Sequence, residues 1–568
     1  MNATKVSSFL IITALILVSI NWNNSSPTNI ISDKTNIYDI EREVNLTSET
    51  TELPLYPLSH NFNTKTYLES EYFRFAEDGA IEKDYRERYN NASWQYSPVV
   101  ASAFCYNAYN EHVLTDNITL ENQVIQQAYG LLSRAEQDNN GALIWRYNFS
   151  QATFGAEPGW ISSMAQGLAM VCFSGAYLLT DNQIFAEASY KAYLGLNASF
   201  GDNGTRIDLT EDAIFFEEVA GKGSQPSNIL NGMVYALGGI WFANEANPIP
   251  DYSFALEKGI AGVKLLLDDF DVGGTSLYDL GPKRIARLGT DYNLVHVAQM
   301  QWLYDLTGDA VFLEKAIIFL SYERSHKYAV LASNFIEGRE PENLLGLRSY
   351  FSVPSGEEVT LSFNFSKQVS IDQINIISYS NTTIPESAFL SIEENIDKLE
   401  FKERFETFKI NPVETSEISI RLVPPDGGKI ALFLISFSSI ETRMLTSLSS
   451  DPSVYWQPGE SKSKSDPAKW STLNLNDNNE NSIWTTEHNN PWLLIWIEEF
   501  EKGEIYLKSC FNQSLGNFST FESADLKNWR KNTDIDKTQI PISSESKYFL
   551  IEWKEKNACL AEIEFISE

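Results

Sequence analysis

Two adjacent carboxylates, Glu217 and Glu218, lie in the stretch FFEEVAGKGSQPSNILNG from Phe215 to Gly232, at a Gly- and Pro-rich turn ahead of an apolar run. Neighbouring side chains on an extended segment point to opposite faces, which predicts one carboxylate in a cleft and the other in solvent. An isolated acidic pair is ordinarily a solvated loop. Here Phe215 and Phe216 precede it, Gly221 and Gly223 permit close backbone approach, and Pro226-Ser227-Asn228 reads as a helix start; together they describe the wall of an active site. A second constellation follows: SLYDLG holds Tyr278, LGTDYNLVHVAQMQ holds Asp291, Tyr292, His296 and Gln299, and Lys283, Arg284 and Arg287 lie between the two tyrosines. In a chain of formal net charge -33, this local reversal of sign suits a bound anion or an ion pair with the acidic surface. Two phenols beside a carboxylate and cations suit proton transfer at a carbon next to a carboxylate.

The segments GWISSMAQGLAM (Gly159 to Met170), FFEEVAGKGSQPSNILNG, SLYDLG and DYNLVHVAQMQ resemble, in this order, the C-terminal catalytic domain of the D-glucuronyl C5-epimerases that act on heparan sulfate precursors. The resemblance runs from Tyr72 to Tyr328, and W-I-S-x-M-A-Q-G is its most specific part. It implies a catalytic carboxylate at Glu218 and catalytic tyrosines at Tyr278 and Tyr292. Val219 and Ala220 stand where family members carry tyrosine and proline, and Gly281-Pro282 stand where Arg-His follows the Tyr-Asp-Leu triplet. The implied reaction removes the C5 proton of a hexuronate and returns one to the other face, so the neighbouring carboxylate must be neutralised. Arg284 or Arg287 with His296 is expected to do this, Arg offering the bidentate fork. Trp160, Gln166, Asn231 and Gln299 complete the expected substrate-binding set. A polysaccharide lyase forms the same carbanion and stays open as an alternative, as does an inactive surface glycan-binding protein. A glycosidase needs two carboxylates facing one bond, and no second acid stands out beyond Asp279 and Asp291.

Composition sets wider limits. The 568 residues are 43% hydrophobic and 13% aromatic, more than one ordinary core, which predicts a multidomain chain. The acidic balance argues against nucleic acid, whose phosphates attract basic surfaces, and favours a neutral or weakly anionic glycan over a strongly sulfated one; the resemblance implies a uronate-containing polysaccharide or surface glycan as partner. No metal-ligand spacing is present and no cofactor is expected. Four cysteines divide into Cys510 and Cys559, placed to bridge strands of a terminal module, and Cys105 and Cys172, which sit in apolar helical patterns and read as buried thiols.

The N-terminal run Phe9 to Ile20 behind Lys5 reads as a signal peptide or membrane anchor over 1–24, followed by a Ser/Thr/Asn-rich linker over 25–70 without periodicity. With the N-x-S/T acceptors at Asn91, Asn117, Asn148, Asn197, Asn203, Asn364, Asn381 and Asn512, this predicts an exported, secreted or cell-surface protein. Over 71–330 the apolar spacing is helical and predicts about eight helices in hairpins, an all-α (α/α) barrel or toroid. The predicted buried stripes include Ile125, Ala128, Tyr129 and Leu132, and Leu256, Ile260, Val263 and Leu267. Trp145, Tyr147, Phe154 and Trp160 offer aromatic platforms for sugar rings. The period then changes to that of strands, predicting a β-sandwich over 338–444 and a discoidin-like, jelly-roll-type sandwich over 445–568. In the latter, Trp456 and Trp470 are candidate glycan contacts.

Overall fold

The computed structural model describes residues 53–567, less 59–63, 78, 86–92, 202, 287, 289–291, 345–349, 394, 440–445, 450–474, 476–483, 487–490, 498–502, 511–514, 533–537, 544–545 and 555–557. The predicted leader over 1–24, and Asn91, Arg287, Asp291, Trp456, Trp470 and Asn512, lie outside the described residues. The chain divides into two compact units, 1–263 and 264–568.

Among the described residues a short helix, α1 (Thr64–Glu69), precedes eight long ones: α2 (Pro98–Thr115), α3 (Ile118–Arg134), α4 (Ser163–Thr180), α5 (Gln183–Asn197), α6 (Leu230–Ala246), α7 (Pro250–Leu266), α8 (Tyr292–Thr307) and α9 (Ala310–Tyr322). They come in pairs, and three of the four connections use one device. Asp116, Asp181 and Gly308 take left-handed backbone angles that end the first helix. Asn117, Asn182 and Asp309 then cap the second, accepting from the backbone N–H groups of Thr119, Ile184 and Val311 at 3.0, 3.1 and 3.3 Å.

In the first unit α2, α4 and α6 are buried on nearly every face, whereas α3, α5 and α7 bury one stripe. Glycines let the buried helices touch. A Cβ on Gly167 would lie 2.6 Å from Ala236 Cα, and one on Gly239 would lie 2.1 Å from the Gly167 carbonyl oxygen, so α4 and α6 meet backbone to backbone. The stripe on α3 is Leu120, Val124, Gln127, Ala128 and Leu131, rotated from the predicted face, of which only Ala128 is buried. On α7 it is Tyr252, Ala255, Gly259, Gly262 and Val263, because the close approach of Gly262 to the Ile214 carbonyl selects small residues over large ones.

Two further corrections concern this unit. Cys105 on α2 and Cys172 on α4 form a disulfide with Cα atoms 5.5 Å apart, where buried thiols were predicted. The linker is also shorter than expected. Tyr56 is 1% exposed, its ring 4.9 Å from that of Tyr106, with its backbone N–H and C=O both paired to the Asn110 amide at 2.9 Å, and Tyr67 on α1 packs edge-on against Phe104. Residues 54–58 and α1 therefore belong to the helical core.

In the second unit the strand region opens with one seven-stranded antiparallel sheet rather than two separate ones. Its long strands, Val359–Ser378 and Phe405–Val423, pair over most of their length with register breaks at Asn364/Val369 and Ile371/Gln373. Phe437 pairs with Ile374, yet its ring lies 4.8 Å from that of Phe363, about 36 Å further along a straight strand at ~3.3 Å per residue. The sheet therefore bends back over a single core containing Phe363, Ile376, Ile420 and Phe437. The last region is a two-sheet sandwich, with the side chains of Trp484, Leu493, Ile495, Ile551 and Ile563 between a five-stranded and a four-stranded antiparallel sheet. Cys510 and Cys559 are bridged as expected.

Candidate active site

The backbone around Glu218 is fixed from three sides before its side chain is considered. Strand Ile214–Phe216 pairs with Arg206–Asp208. The Glu217 N–H donates to the Thr205 carbonyl at 2.8 Å, and Ala220 and Ile161 exchange bonds of 3.0 and 2.8 Å. The start of α4 adds the Ser163 N–H on the Glu217 carbonyl at 3.2 Å and the Ser163 hydroxyl on the Phe216 carbonyl at 3.1 Å. Glu217 does not meet solvent, as one of the pair was expected to. It is fully buried and accepts from the backbone N–H groups of Ser227 and Asn228 at 3.1 and 3.0 Å. Helix α6 accordingly begins at Leu230, after Asn228 in a left-handed conformation (φ 49°), and the predicted Pro-Ser-Asn start is the turn that Glu217 ties down.

Glu218 is half-buried and lies on the first turn of α6: a Cβ added to Gly232 would come 2.4 Å from Glu218 Oε2. The glycine leaves the carboxylate room, and a helix N-terminus attracts negative charge. Tyr147 senses that charge. Burial first, then Tyr85, and also Glu218 hold its phenol well above the ordinary tyrosine range, against the lowering effect of a hydrogen bond with Ser97.

In the second unit Tyr278, Asp279 and Arg284 share a hairpin in which Leu277 bridges Ile285 and the Tyr278 N–H donates to the Arg284 carbonyl at 2.7 Å. Arg284 Nε donates to Asp279 Oδ2 at 2.6 Å, and the guanidinium lies 4.5 Å from the centroid of the Tyr278 ring. Tyr292, at the start of α8, meets Tyr278 edge-on with centroids 4.7 Å apart. Two phenols and a cation are thus in contact, as the sequence predicted. Asp279 is fully buried; burial raises its pKa, and Arg284 opposes the rise.

His296 is not the cation expected of it. Asn293 Nδ2 donates to the Phe319 carbonyl and Glu323 Oε1 at 2.8 and 2.7 Å, which fixes Asn293 Oδ1 as the acceptor of the Ser276 hydroxyl at 2.9 Å. The Ser276 oxygen must then accept from His296 Nδ1–H at 2.9 Å. The fully buried ring is neutral, its pKa lowered to about 3 by desolvation.

Residues 137–321 match the family model described as D-glucuronyl C5-epimerase C-terminus. This segment belongs to that domain family. A D-glucuronyl C5-epimerase of Caenorhabditis elegans is 26% identical over 184 residues, 29% of each chain, and an uncharacterized protein of Methanocaldococcus jannaschii is 26% identical over 210 residues, 36% of this chain and 66% of the relative. Among solved structures, a pectin-binding carbohydrate-binding module is 22% identical over 20% of this chain and 92% of its own, with a TM-score of 0.17. Two carbohydrate-binding domains of Clostridium perfringens ZmpB in complex with GalNAc are 9% identical over 42% of this chain and 90% of their own, with a TM-score of 0.18. Likenesses so slight carry no conclusion.

Within the epimerase-family domain, Glu218, Tyr278, Tyr292 and Arg284 are each partly open to solvent. The remaining described candidates are at most 6% exposed. Trp160 donates from its indole to the Phe149 carbonyl at 2.8 Å and stacks on Tyr147 with centroids 4.1 Å apart. Gln166 spans the Leu143 and Ala192 carbonyls at 2.8 and 2.9 Å. Asn231, His296 and Gln299 are equally enclosed, and Trp145, Tyr147 and Phe154 fill core instead of forming sugar platforms. The W-I-S-x-M-A-Q-G signature is therefore scaffold: Ser162 caps α4 through the Ala165 N–H at 3.2 Å, Gln166 ties the strand Leu143–Ile144 to α5, and Gly167 seats α6. The sequence missed Glu217 as a holder of its neighbours, whereas Asp279, expected to orient a neighbour or cap a helix, orients Arg284. For Glu217, proximity to Glu218 was the only signal.

Proposed function

We propose that this protein epimerises hexuronate residues of a polysaccharide at C5, of the D-glucuronate to L-iduronate type. The observation that carries the reading is the contact of Tyr278, Tyr292 and Arg284 in a segment of the epimerase family. In this reading Glu218 and Tyr292 are the two proton carriers that the reaction requires. One takes the C5 proton as the C–H electron pair passes into the carboxylate as an enediolate, and the other returns a proton. Tyr278 supports Tyr292, and Arg284, already oriented by Asp279, stabilises the developing negative charge; such preorganised charge contributes about 3–4 kcal/mol per donor in comparable sites. Val219, standing where the family carries a tyrosine, is buried, so the chemistry falls to the remaining two phenols.

The same reading makes the helical hairpins an (α/α) barrel and the terminal module a discoidin-like sandwich holding the glycan. It places the protein outside the cell or at its surface; five of the predicted glycan acceptors, Asn117, Asn148, Asn203, Asn364 and Asn381, are exposed.

Incubation with a glucuronate-containing polymer in deuterated water tests the proposal. Deuterium at C5 with chains intact is expected. A new C4–C5 double bond would make the protein a lyase, and binding without exchange or cleavage an inactive glycan binder.

A further inference from the structure

The hairpin that carries Tyr278 and Arg284 is held by three elements of the second unit, and only two are helices. At one end Asp271 receives Lys315 Nζ at 2.9 Å and the Tyr322 hydroxyl at 2.5 Å, both from α9. In the middle Ser276 is tied to Asn293 and His296 of α8. The third contact is made by the first β-sheet. Gly273 and Gly274 take left-handed angles (φ 68° and 88°) directly against it: a Cβ on Gly273 would lie 2.5 Å from Thr407 Oγ1, and one on Gly274 would lie 2.9 Å from Asn375 Cβ. The sheet side of this contact is itself braced. Thr407 Oγ1 and Gln373 Nε2 donate to Asn375 Oδ1 at 2.9 and 3.2 Å, and Asn375 Nδ2 donates to the Ser436 hydroxyl at 3.0 Å.

We infer that the first β-sheet is part of the catalytic unit, with Asn375 and Thr407 as positioning residues that set the hairpin bearing Tyr278 and Arg284. Its role in rate rests on the proposed epimerase activity; its role in ordering the hairpin does not. Arg404, in the bend directly before the strand Phe405–Val423 and anchored by its Nε on the Ser378 carbonyl at 2.8 Å, adds a buried positive charge that interacts with Asp279, more weakly than Arg284 does. A bulge of one methyl group at the glycine pair would therefore reach the phenol and the cation through the hairpin, since misplacement by about 1 Å is enough to cost two orders of magnitude in rate.

Gly273→Ala in the full-length protein tests this. The expected result is a fall in kcat for C5 exchange of about tenfold or more with KM little changed, and loss of amide hydrogen-exchange protection across 276–286 while α4 and α5 keep theirs. A Gly273→Ala protein with unchanged hairpin protection would overturn the inference. Asn375→Ala, which adds no bulk, should loosen the same amides and serves if Gly273→Ala does not fold; unchanged protection there also counts against it. If the wild-type protein exchanges no deuterium at C5, the functional proposal fails while the protection measurements still decide the positioning claim.

Discussion

The stretch around Glu218 and the hairpin around Tyr278 are held by opposite means. Glu218 stands on backbone: strand pairing, the N–H groups that Glu217 ties together, and a helix turn left open by glycine. The Tyr278 hairpin stands on side-chain charge and aromatic contact, with Asp271 to Lys315, Asp279 to Arg284, and guanidinium against ring. Backbone bonds are indifferent to pH over the working range, whereas ion pairs are made and lost by single protons. Acid can therefore reach the first region only through the one carboxylate of Glu217, whereas the second should respond to pH throughout.

The largest effect should come from Glu218→Gln. Loss of the acid is expected to lower C5 exchange by about 10²–10⁴-fold with the thermal transition unmoved; exchange at the wild-type rate would strip Glu218 of its role. Next comes the covalent tie in the same unit. Cys105→Ala with Cys172→Ala opens a 67-residue separation, for which chain entropy gives about 4 kcal/mol. Denaturant unfolding should show that loss in the helical region, and a change under 1 kcal/mol would mean that the helices hold without it.

Two pH experiments sharpen the contrast. The His296 pKa is lowered to about 3 in the folded protein against 6.5 ordinarily, so the unfolded chain takes up a proton first. Stability from this group is complete above 6.5 and drains away as pH falls toward about 3, by roughly 1.4 kcal/mol per unit. Thermal unfolding of His296→Asn should lack that acid slope. Asp279 runs the other way. Its folded pKa is raised above 3.8, so its contribution to folding is fullest below 3.8 and lost as pH rises through the folded value, while its pairing with Arg284 requires the ionised form. The expected exchange profile has an acid limb above the usual carboxylate range. Asp279→Asn should abolish that limb and cost about tenfold in rate at neutral pH, the smallest effect of the four; an unchanged limb would assign the titration elsewhere.

Much of the architecture was legible because period is a local property. The hairpin turns at Asp181-Asn182 and Gly308-Asp309, the change to strands, and the alternation of Leu493, Ile495 and Ile497 all show in short windows. What failed to show depends on distant partners. Hydrophobicity could not find the buried stripe of α7, since Gly259 and Gly262 are selected by backbone contact. Nor could it tell that Cys105 and Cys172 are two ends of one bond, or that Tyr56 inserts into the core from a stretch that reads as linker. Of the candidate site residues, Glu218, Tyr278, Tyr292 and Arg284 are the ones whose exposure is compatible with the role read from type and neighbourhood. The enclosed residues could not be told from these in the sequence, because a glutamine or histidine that braces a loop is written like one that grips a sugar; only burial separates Gln166 and His296 from Arg284.

Gly232 has an outcome of its own. Since the Glu218 oxygen occupies the space where any larger residue would put its first carbon, alanine at that position would evict the acid from its seat while leaving the charge of the chain unaltered. On the proposed mechanism volume alone would then be a sufficient off-switch, and a gene that had drifted to silence there would still encode every proposed reactive group.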